Sequence, residues 1–239
     1  MAMPETKELR LSKPVLSKRI QQEAGKKMND SSFFARLQKK TKAGELVRVG
    51  KGLYAPSNLP VFDYELFLPV AQEVHSFLMK EFWGRVDFAV YETTLLNRFL
   101  NHLLAIGTTI VDAPRRDAQI IFYELQDHGF QNVLLNPTEE ENFRYNMHDN
   151  RTIIVKSTSS RSPIDKKRGM ILLEKLLVDI VFDKRLHYFF EGAEIGPMVE
   201  EITTSYSLDY AKVRTYAKRR GCYELLLRYI PEEIRVKYL

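Results

Sequence analysis

The chain has 239 residues, of which 44% are hydrophobic, 28% charged and 11% aromatic. This balance is close to that of globular proteins and excludes a disordered chain, a collagen-like repeat and a disulfide scaffold. The single cysteine, Cys222, cannot form an intramolecular disulfide, and no apolar run approaches the length of a membrane span, so we expect a soluble cytoplasmic protein with no membrane partner.

The charge is distributed unevenly along the chain. Residues 1–60 contain 13 Lys and Arg against 5 Asp and Glu, a net charge of +8. Residues 61–155 contain 7 against 14, a net charge of −7, and residues 156–239 contain 16 against 12, a net charge of +4. A basic segment joined to an acidic one indicates a module that binds a polyanion and a second part that does not.

The first sixty residues predict helices followed by a tight hairpin. The two clearer helices each begin near a residue that can accept hydrogen bonds from first-turn amides, and each ends at a glycine. Two β-prone runs then flank a Gly-Lys-Gly turn, whose glycines can adopt positive φ. The predicted elements are a short helix over residues 5–11, a helix over residues 15–24 before Gly25, a helix from Asp30 or Ser31 to Ala43 before Gly44, strands over residues 45–49 and 53–55, and a linker over residues 56–60.

The helix predicted from Asp30 or Ser31 to Ala43 has one face for a core and one for an anion. At 100° per residue, Phe33, Phe34, Leu37 and Thr41 fall within one arc, and a basic face lies on the other side. A basic helix followed at once by a basic hairpin is the order of a winged helix-turn-helix, in which the helix enters the major groove and the wing contacts the DNA alongside. The predicted DNA-binding residues are Ser32, Arg36, Lys39, Lys40, Lys42, Arg48 and Lys51.

Beyond the linker, helices alternate with short strands, which indicates βαβ units and a mostly parallel sheet. We therefore predict a mixed α/β protein with a winged helix-turn-helix over residues 1–58 and an α/β domain over residues 59–239 that ends in a helical segment. The predicted strands cover residues 86–91, 108–111, 132–135 and 152–156, the helices among them residues 69–83, 94–106, 118–128 and 139–147, a loop residues 157–168, and the final helices residues 171–182, 197–205, 209–218, 223–229 and 232–237.

Positive charge returns near the end of the chain. Five basic residues are crowded on or beside the predicted helix over residues 209–218. They form either a second surface for DNA or a partner, or a solvated helix face. These residues are Lys212, Arg214, Lys218, Arg219 and Arg220.

Three stretches resemble the AbiEi family of antitoxins. The string GELVRVGKGLYA, residues 44–55, is similar to the wing of the family's N-terminal winged helix, and LEKLLVD, residues 173–179, and YAKVRTYAKRR, residues 210–220, are similar to later family stretches. By this resemblance Arg48 and Lys51 fall on the basic positions of the wing, and Arg36, Lys39 and Lys40 on the recognition helix. Glu174, Lys175 and Asp179 match the second stretch without an assigned role.

The resemblance implies a specific function. AbiEi proteins are cytoplasmic bacterial antitoxins of type IV toxin–antitoxin pairs, associated with abortive phage infection, and their winged helix binds repeats in their own promoter to repress the operon. Their C-terminal domain assists this binding and counteracts a nucleotidyltransferase-like toxin without a stable complex. The resemblance thus implies a DNA-binding repressor and antitoxin, and we expect no catalytic residues, no metal and no cofactor.

Two alternative functions stay open. A nuclease requires clustered carboxylates and a lysine to hold Mg²⁺ and activate water. Asp87, Asp112 and Glu124 lie at or near predicted strands, but no Glu-x-Lys follows them at a useful spacing, and the histidines lack metal-binding spacing. The first alternative is a nuclease-like enzyme directed to DNA by the winged helix, and the second is a transcription regulator whose C-terminal domain senses a ligand.

Overall fold

The computed structural model describes residues 10–146, 150–159 and 162–239. The fold is mixed α/β, with about half of the residues in helices. By their contacts the residues divide into two units. The first unit contains the described residues up to Asp63 together with Val199–Leu239, and the second contains Tyr64–Met198.

The described elements follow one another as short strands and helices of 2 to 14 residues. In chain order they are β1 (Leu11–Ser12), α1 (Lys13–Ala24), α2 (Asp30–Lys42), β2 (Leu46–Gly50), β3 (Leu53–Pro56), α3 (Pro69–Phe82), β4 (Ala89–Glu92), β5 (Thr109–Pro114), α4 (Arg115–Asp127), β6 (Val133–Leu135), α5 (Glu139–Asn146), β7 (Ile153–Thr158), β8 (Ile164–Asp165), β9 (Met170–Ile171), α6 (Leu173–Phe182), α7 (Ile195–Ser205), α8 (Tyr210–Arg219), α9 (Tyr223–Tyr229) and α10 (Glu232–Tyr238).

In the first unit, α1 and α2 pack on a small antiparallel sheet with the strand order β1-β3-β2. Helix α1 ends at Gly25, whose φ of 64° is the left-handed conformation that favours glycine. Helix α2 is capped by Asn29, whose side chain accepts a hydrogen bond from the amide of Ser32. The cap therefore lies one residue before the predicted Asp30. The core of this part contains Leu11, Leu16, Ile20, Phe33, Leu37 and Leu46, with Met28 and Tyr54 packed against it.

The last three helices belong to the first unit, whereas the sequence placed their residues in the second domain. Helix α8 contacts β2. The ring of Tyr210 stacks on that of Tyr238, with 4.7 Å between centroids, and both rings are buried. This arrangement buries the apolar face of α8, which the helix cannot bury alone. Local periodicity reveals such a face but does not reveal which part of the chain covers it.

The second unit contains a mostly parallel sheet, as predicted. Among the described residues its strand order is β6-β7-β5-β4-β9-β8. The pairs β6–β7, β5–β7 and β4–β9 are parallel, whereas β4–β5 and β8–β9 are antiparallel. Helix α3 contacts β4 and β5, and α4 contacts β5, β6 and β7. The sheet residues Val90, Val111 and Val155 are completely buried, which fits strands with a core on both faces.

Several predicted elements differ from the structure. The helix predicted over residues 94–106 is only a short 3-10 helix, Thr93–Arg98. The side chain of Asn97 accepts a hydrogen bond from the amide of Leu104 and donates one to its carbonyl oxygen, at 2.7 and 3.1 Å, and so closes a loop that competes with the helix. The loop predicted over residues 157–168 contains the end of β7 and all of β8. Residues 5–9 of the helix predicted over residues 5–11 lie outside the described residues, and Leu11 is in β1. Residue 147, the last residue of the helix predicted over residues 139–147, also lies outside the described residues.

Replacing Gly44 by alanine is expected to destabilise the first unit strongly. Gly44 has a φ of 77°, and an added Cβ would overlap the carbonyl oxygen of Leu59. Gly25 has a φ of 64° but has open space where its Cβ would be. We expect Gly25→Ala to cost about 1–2 kcal/mol from its backbone conformation, and Gly44→Ala about 2–5 kcal/mol because the clash adds to a similar strain. Denaturation followed by circular dichroism measures both, and equal losses would contradict the packing described for Gly44.

Candidate nucleic-acid interface and the buried ion-pair network

Helix α2 presents a polar face because its apolar residues are used in the core. Phe33 and Leu37 are buried. One helical turn separates them, so the residues on the opposite side of α2 must face water. The exposed residues there include Ser32, Ala35, Arg36, Lys39 and Lys42.

Lys40 differs from the other basic residues of α2. Its Nζ atom lies 2.9 Å from a carboxylate oxygen of Glu45 and 3.1 Å from one of Glu23, and its side chain is only 28% exposed. The hydrogen bonds to Glu45 and Glu23 raise the pKa of Lys40 above its usual value. This predicted DNA-binding residue is therefore already neutralised within the unit, where it joins α1 and α2 to the residue before β2.

Phe34 also differs from its predicted position. The helical arc placed it with the core, but its side chain is 47% exposed. Its ring lies against Phe33, with 5.3 Å between centroids, and the Nζ atom of Lys13 lies 4.8 Å from the centre of the Phe34 ring. A phenyl ring covered by a cation lies at the edge of the core, and the arc was too wide to separate it from the buried residues.

The hairpin β2–β3 carries the other two predicted basic residues. Arg48 and Lys51 are both exposed. The Nε atom of Arg48 donates a hydrogen bond to the carbonyl oxygen of Gly50 at 3.3 Å. The register of the two strands shifts between Arg48 and Gly50, and Gly52 closes the turn with a φ of 71°. The amide of Lys13 donates to the carbonyl oxygen of Gly52 at 3.2 Å, so the hairpin turn is held against the start of α1.

The structure adds basic residues that the sequence argument did not select. Helix α1 and the segment after it carry further exposed cations in the same unit. They contribute to the net charge of residues 1–60, but the sequence of α1 was interpreted only for its apolar face. These residues are Lys13, Lys18, Arg19, Lys26 and Lys27.

The basic residues of α8 divide into two groups. Arg214 donates to the carbonyl oxygen of Leu239 at 2.7 Å, and Arg220 donates to the Tyr216 hydroxyl at 3.0 Å, so both are used within the unit. The exposed Lys218 lies over the ring of Tyr223 at 5.0 Å, and Arg219 is exposed. The remaining residue, Lys212, is exposed, and its Nζ atom lies 3.7 Å from the carboxylate of Asp209.

A groove in the first unit brings part of the second basic set to the hairpin. The groove has a volume of about 220 Å³, and Thr41 of α2, Arg48 of β2 and Lys212 of α8 all line it. Of the predicted second surface, Lys212 is therefore the residue that the structure places beside a predicted wing residue. The order of elements along the chain could not show this proximity.

The second unit contains a buried network of ion pairs. Strands β5 and β7 pair Asp112 with Lys156 in register, and the Lys156 Nζ atom lies 3.4 Å from Asp112 and 2.9 Å from Asp183. Helix α6 adds Lys175 and Asp179, one turn apart; Lys175 pairs with Asp179 and, at 2.5 Å, with Asp112. Each of these charged side chains is at most 5% exposed.

Burial and opposite charge act against each other in this network. Burial favours the neutral form of Lys156, but the carboxylates of Asp112, Asp183 and Asp179 outweigh it and raise the pKa of Lys156 above its usual value. Burial likewise opposes the charge of Asp183, but Lys156 and Arg185 outweigh it and hold its pKa well below the usual value. The buried Tyr91 hydroxyl accepts a hydrogen bond from Lys156 at 3.1 Å, and burial raises the pKa of Tyr91.

Asp112 is one of three carboxylates considered from the sequence for a nuclease site, and it belongs to the network. The other two, Asp87 and Glu124, lie outside the network. Asp87 lies on an exposed part of the second unit, 2.6 Å from the Nζ atom of Lys166, and Glu124 is exposed on α4. Over the described ranges, no group of three or more His, Cys, Asp or Glu residues could hold a metal ion. None of the helices in the described part of the chain is long and apolar enough to cross a membrane.

Comparison with known proteins gives a family. Residues 32–235 match a family of unknown function, DUF6577. The chain belongs to this family. The DUF6577 match begins inside α2 and ends inside α10, so it includes the exposed face of α2, the hairpin and the buried network.

Other comparisons are less informative. No curated protein matches the chain. Among solved structures, the Rv2827c protein from Mycobacterium tuberculosis is similar with a TM-score of 0.30 and 14% identity, covering 93% of this chain and 77% of that one. A likeness at this level carries no argument about fold or function, and the AbiEi resemblance stays a prediction.

Removing the charge of Lys156 is expected to destabilise the second unit. Lys156→Met leaves Asp112 and Asp183 with less compensation in a buried site, and breaking a buried ion pair in this way costs about 3–5 kcal/mol. The matched control is Lys166→Met, because the Lys166 side chain is 67% exposed and exposed pairs contribute about 0–1 kcal/mol. Urea denaturation followed by the fluorescence of Trp83, in the same unit, measures both. A loss for Lys156→Met no larger than for the control would contradict a structural role for the network.

The network also predicts how stability depends on pH. The pKa of Asp183 is lower in the folded protein than in the unfolded chain, where it is about 4, so ionised Asp183 stabilises the folded protein above about pH 4. This contribution is lost as the pH falls toward the pKa of Asp183 in the folded protein. The pKa of Lys156 is higher in the folded protein than in the unfolded chain, so charged Lys156 stabilises the folded protein below about pH 10.4. This contribution is lost as the pH rises toward the pKa of Lys156 in the folded protein. We therefore expect the free energy of unfolding to fall below about pH 4, with a shallower acid dependence in Asp183→Asn. An unchanged acid dependence in Asp183→Asn would contradict this assignment.

Proposed function

We propose that the protein is a DNA-binding transcriptional repressor and the antitoxin of a type IV toxin–antitoxin pair. In this proposal the N-terminal part is a winged helix that binds the protein's own promoter. The observation that carries the proposal is the exposed basic face of α2 followed directly by a hairpin with Arg48 and Lys51 exposed. Double-stranded DNA is the polyanion that this combination of helix and hairpin suits.

The topology of the first unit supports a winged helix. The elements β1, α1, α2, β2 and β3 follow one another, and β1 pairs with β3 to give the sheet order β1-β3-β2. In a winged helix, two helices form the helix-turn-helix and the hairpin after them forms the wing. Helix α2 is then the recognition helix, and residues Arg48 to Leu53 lie in the wing.

The residues of α2 and of the wing have different roles in this proposal. Arg36 and Lys39 are long, exposed donors on the outer face of α2, able to reach base edges in the major groove, where Arg and Lys pair with guanine. Ser32 lies one turn earlier and donates or accepts a single hydrogen bond. Lys42, Arg48 and Lys51 bind phosphates and set the position of the helix without reading sequence. Lys40 contributes through stability, because Glu23 and Glu45 already neutralise it.

The antitoxin part of the proposal depends on the AbiEi resemblance. The stretches at residues 44–55, 173–179 and 210–220 carry that resemblance. The functional counterpart is a nucleotidyltransferase-like toxin, which the C-terminal domain counteracts without a stable complex. Lys212, Lys218 and Arg219 are the exposed residues of the predicted second surface, and in this proposal they assist promoter binding.

Removing two of the proposed phosphate and base contacts is expected to weaken DNA binding and its salt dependence. For Lys39→Ala with Lys51→Ala, we expect affinity for the upstream DNA to fall about 10- to 100-fold at moderate salt. The slope of log K against log salt is expected to decrease by about 1, because Lys51 is the proposed phosphate contact of the pair. Lys80→Ala, an exposed lysine of the second unit, is the matched control. Fluorescence anisotropy over a salt series measures the slope. Unchanged binding by the double variant at low and moderate salt would contradict the winged-helix proposal.

The same DNA separates the repressor from a nuclease-like enzyme. The full-length protein is incubated with the upstream DNA, with and without Mg²⁺, and the products are separated on a gel. A shifted but intact duplex in both conditions is the result expected for a repressor. Cleavage that requires Mg²⁺ would contradict the proposal and favour the nuclease-like alternative.

A further inference from the structure

The second unit has a surface pocket that the proposed function does not use. It has a volume of about 380 Å³, within the range of about 300–1,000 Å³ typical of small-molecule sites. The pocket lies where the turn after α3, the start of α4 and the turn between β8 and β9 meet. Apolar and charged residues both line it, as in sites that bind a ligand with an apolar ring and a charged group.

One wall of the pocket is an exposed tryptophan. Helix α3 ends at Phe82, whose carbonyl oxygen accepts hydrogen bonds from the amides of Arg85 and Val86 at 2.9 and 3.0 Å. Gly84 allows this tight turn with a φ of 77°. The turn leaves Trp83 59% exposed, and the indole lines the pocket together with the buried Phe88. The exposed indole provides a flat aromatic face for stacking.

Two cations of the pocket have no ion-pair partner among the described residues. Lys166 pairs with Asp87 at 2.6 Å, and Arg116 pairs with Asp117 at 3.2 Å. Over the part of the chain that the structure describes, no carboxylate lies within ion-pair distance of Arg85 or Lys167, although both line the pocket. The pocket therefore carries an excess of positive charge next to the exposed indole.

We propose that this pocket binds a mononucleotide. Arg85 and Lys167 bind the phosphate, because guanidinium and ammonium groups are the usual protein partners of phosphate oxygens. Trp83 stacks on the base, and such stacking is tolerant of base identity because every base has a flat π-face. The combination distinguishes a nucleotide from a simple anion, which would not use the indole, and from an apolar ligand, which would not use the cations.

This site gives the second unit a regulatory input. A protein that binds a nucleotide can respond to the nucleotide pool of the cell, which corresponds to the ligand-sensing alternative considered from the sequence. The site does not depend on the DNA-binding proposal, because it uses residues of the second unit alone. The two proposals can therefore fail separately.

Trp83 itself reports on binding, because it is the single tryptophan of the chain. The full-length protein is titrated with AMP, GMP, CMP and UMP while tryptophan fluorescence is recorded, and calorimetry is performed in parallel. We expect a saturable fluorescence change with at least one mononucleotide. The matching nucleoside and inorganic phosphate alone are expected to bind at least ~10-fold more weakly, since each makes only part of the contacts.

Variants test the assigned residues. Arg85→Ala with Lys167→Ala is expected to weaken mononucleotide binding at least ~10-fold, and Trp83→Ala, measured by calorimetry, to weaken it by a similar factor. Lys184→Ala, an exposed lysine outside the pocket, is the matched control and is expected to bind normally. Circular dichroism confirms that each variant is folded.

Three results would overturn the proposal. The first is the absence of both a saturable fluorescence change and a heat of binding with all four mononucleotides. The second is equal affinity for inorganic phosphate and the mononucleotide, which would show an anion site without base recognition. The third is unchanged mononucleotide affinity in the folded Arg85→Ala, Lys167→Ala double variant.

Discussion

The second unit depends on the mutual neutralisation of charges that have no access to water. Asp112, Lys156, Lys175, Asp179 and Asp183 are all buried, and each would be strongly unfavourable alone. The network is possible only when β5, β7 and α6 are in their native positions, because these elements and the residue after α6 supply its members. It therefore couples the sheet to α6 more specifically than apolar contacts would, since a shift of register would leave charges unpaired.

The first unit depends on a different constraint, the division of α2 into two faces. Phe33 and Leu37 join the core, so the residues half a turn away are exposed whether or not they bind DNA. The unit then uses one of its lysines, Lys40, for its own stability and leaves Arg36, Lys39 and Lys42 exposed. The proposed DNA surface thus follows from the same packing that forms the core.

Local patterns predicted most of the elements correctly. Helices α1 and α2 end where Gly25 and Gly44 were expected to end them, and the hairpin turns at Gly52, one of the two expected glycines. The predictions were wrong where a side chain competes with the backbone for hydrogen bonds, as Asn97 does after the 3-10 helix. The exposed position of Phe34 was missed because the helical arc was wide enough to include a residue at the edge of the core.

By itself, the sequence determined most of the element types, the mixed α/β class, the mostly parallel sheet and the basic face of α2, because these depend on residue periodicity and on charges that are close along the chain. Only the tertiary structure decided that α8 packs on β2, that Asp112 meets Lys156 and Lys175, and that Trp83 and Lys167 line one pocket. These contacts join residues that are far apart in the sequence. Which distant surfaces meet is determined by how the whole chain can bury its apolar area and pair its charges at once, and no local pattern contains that information.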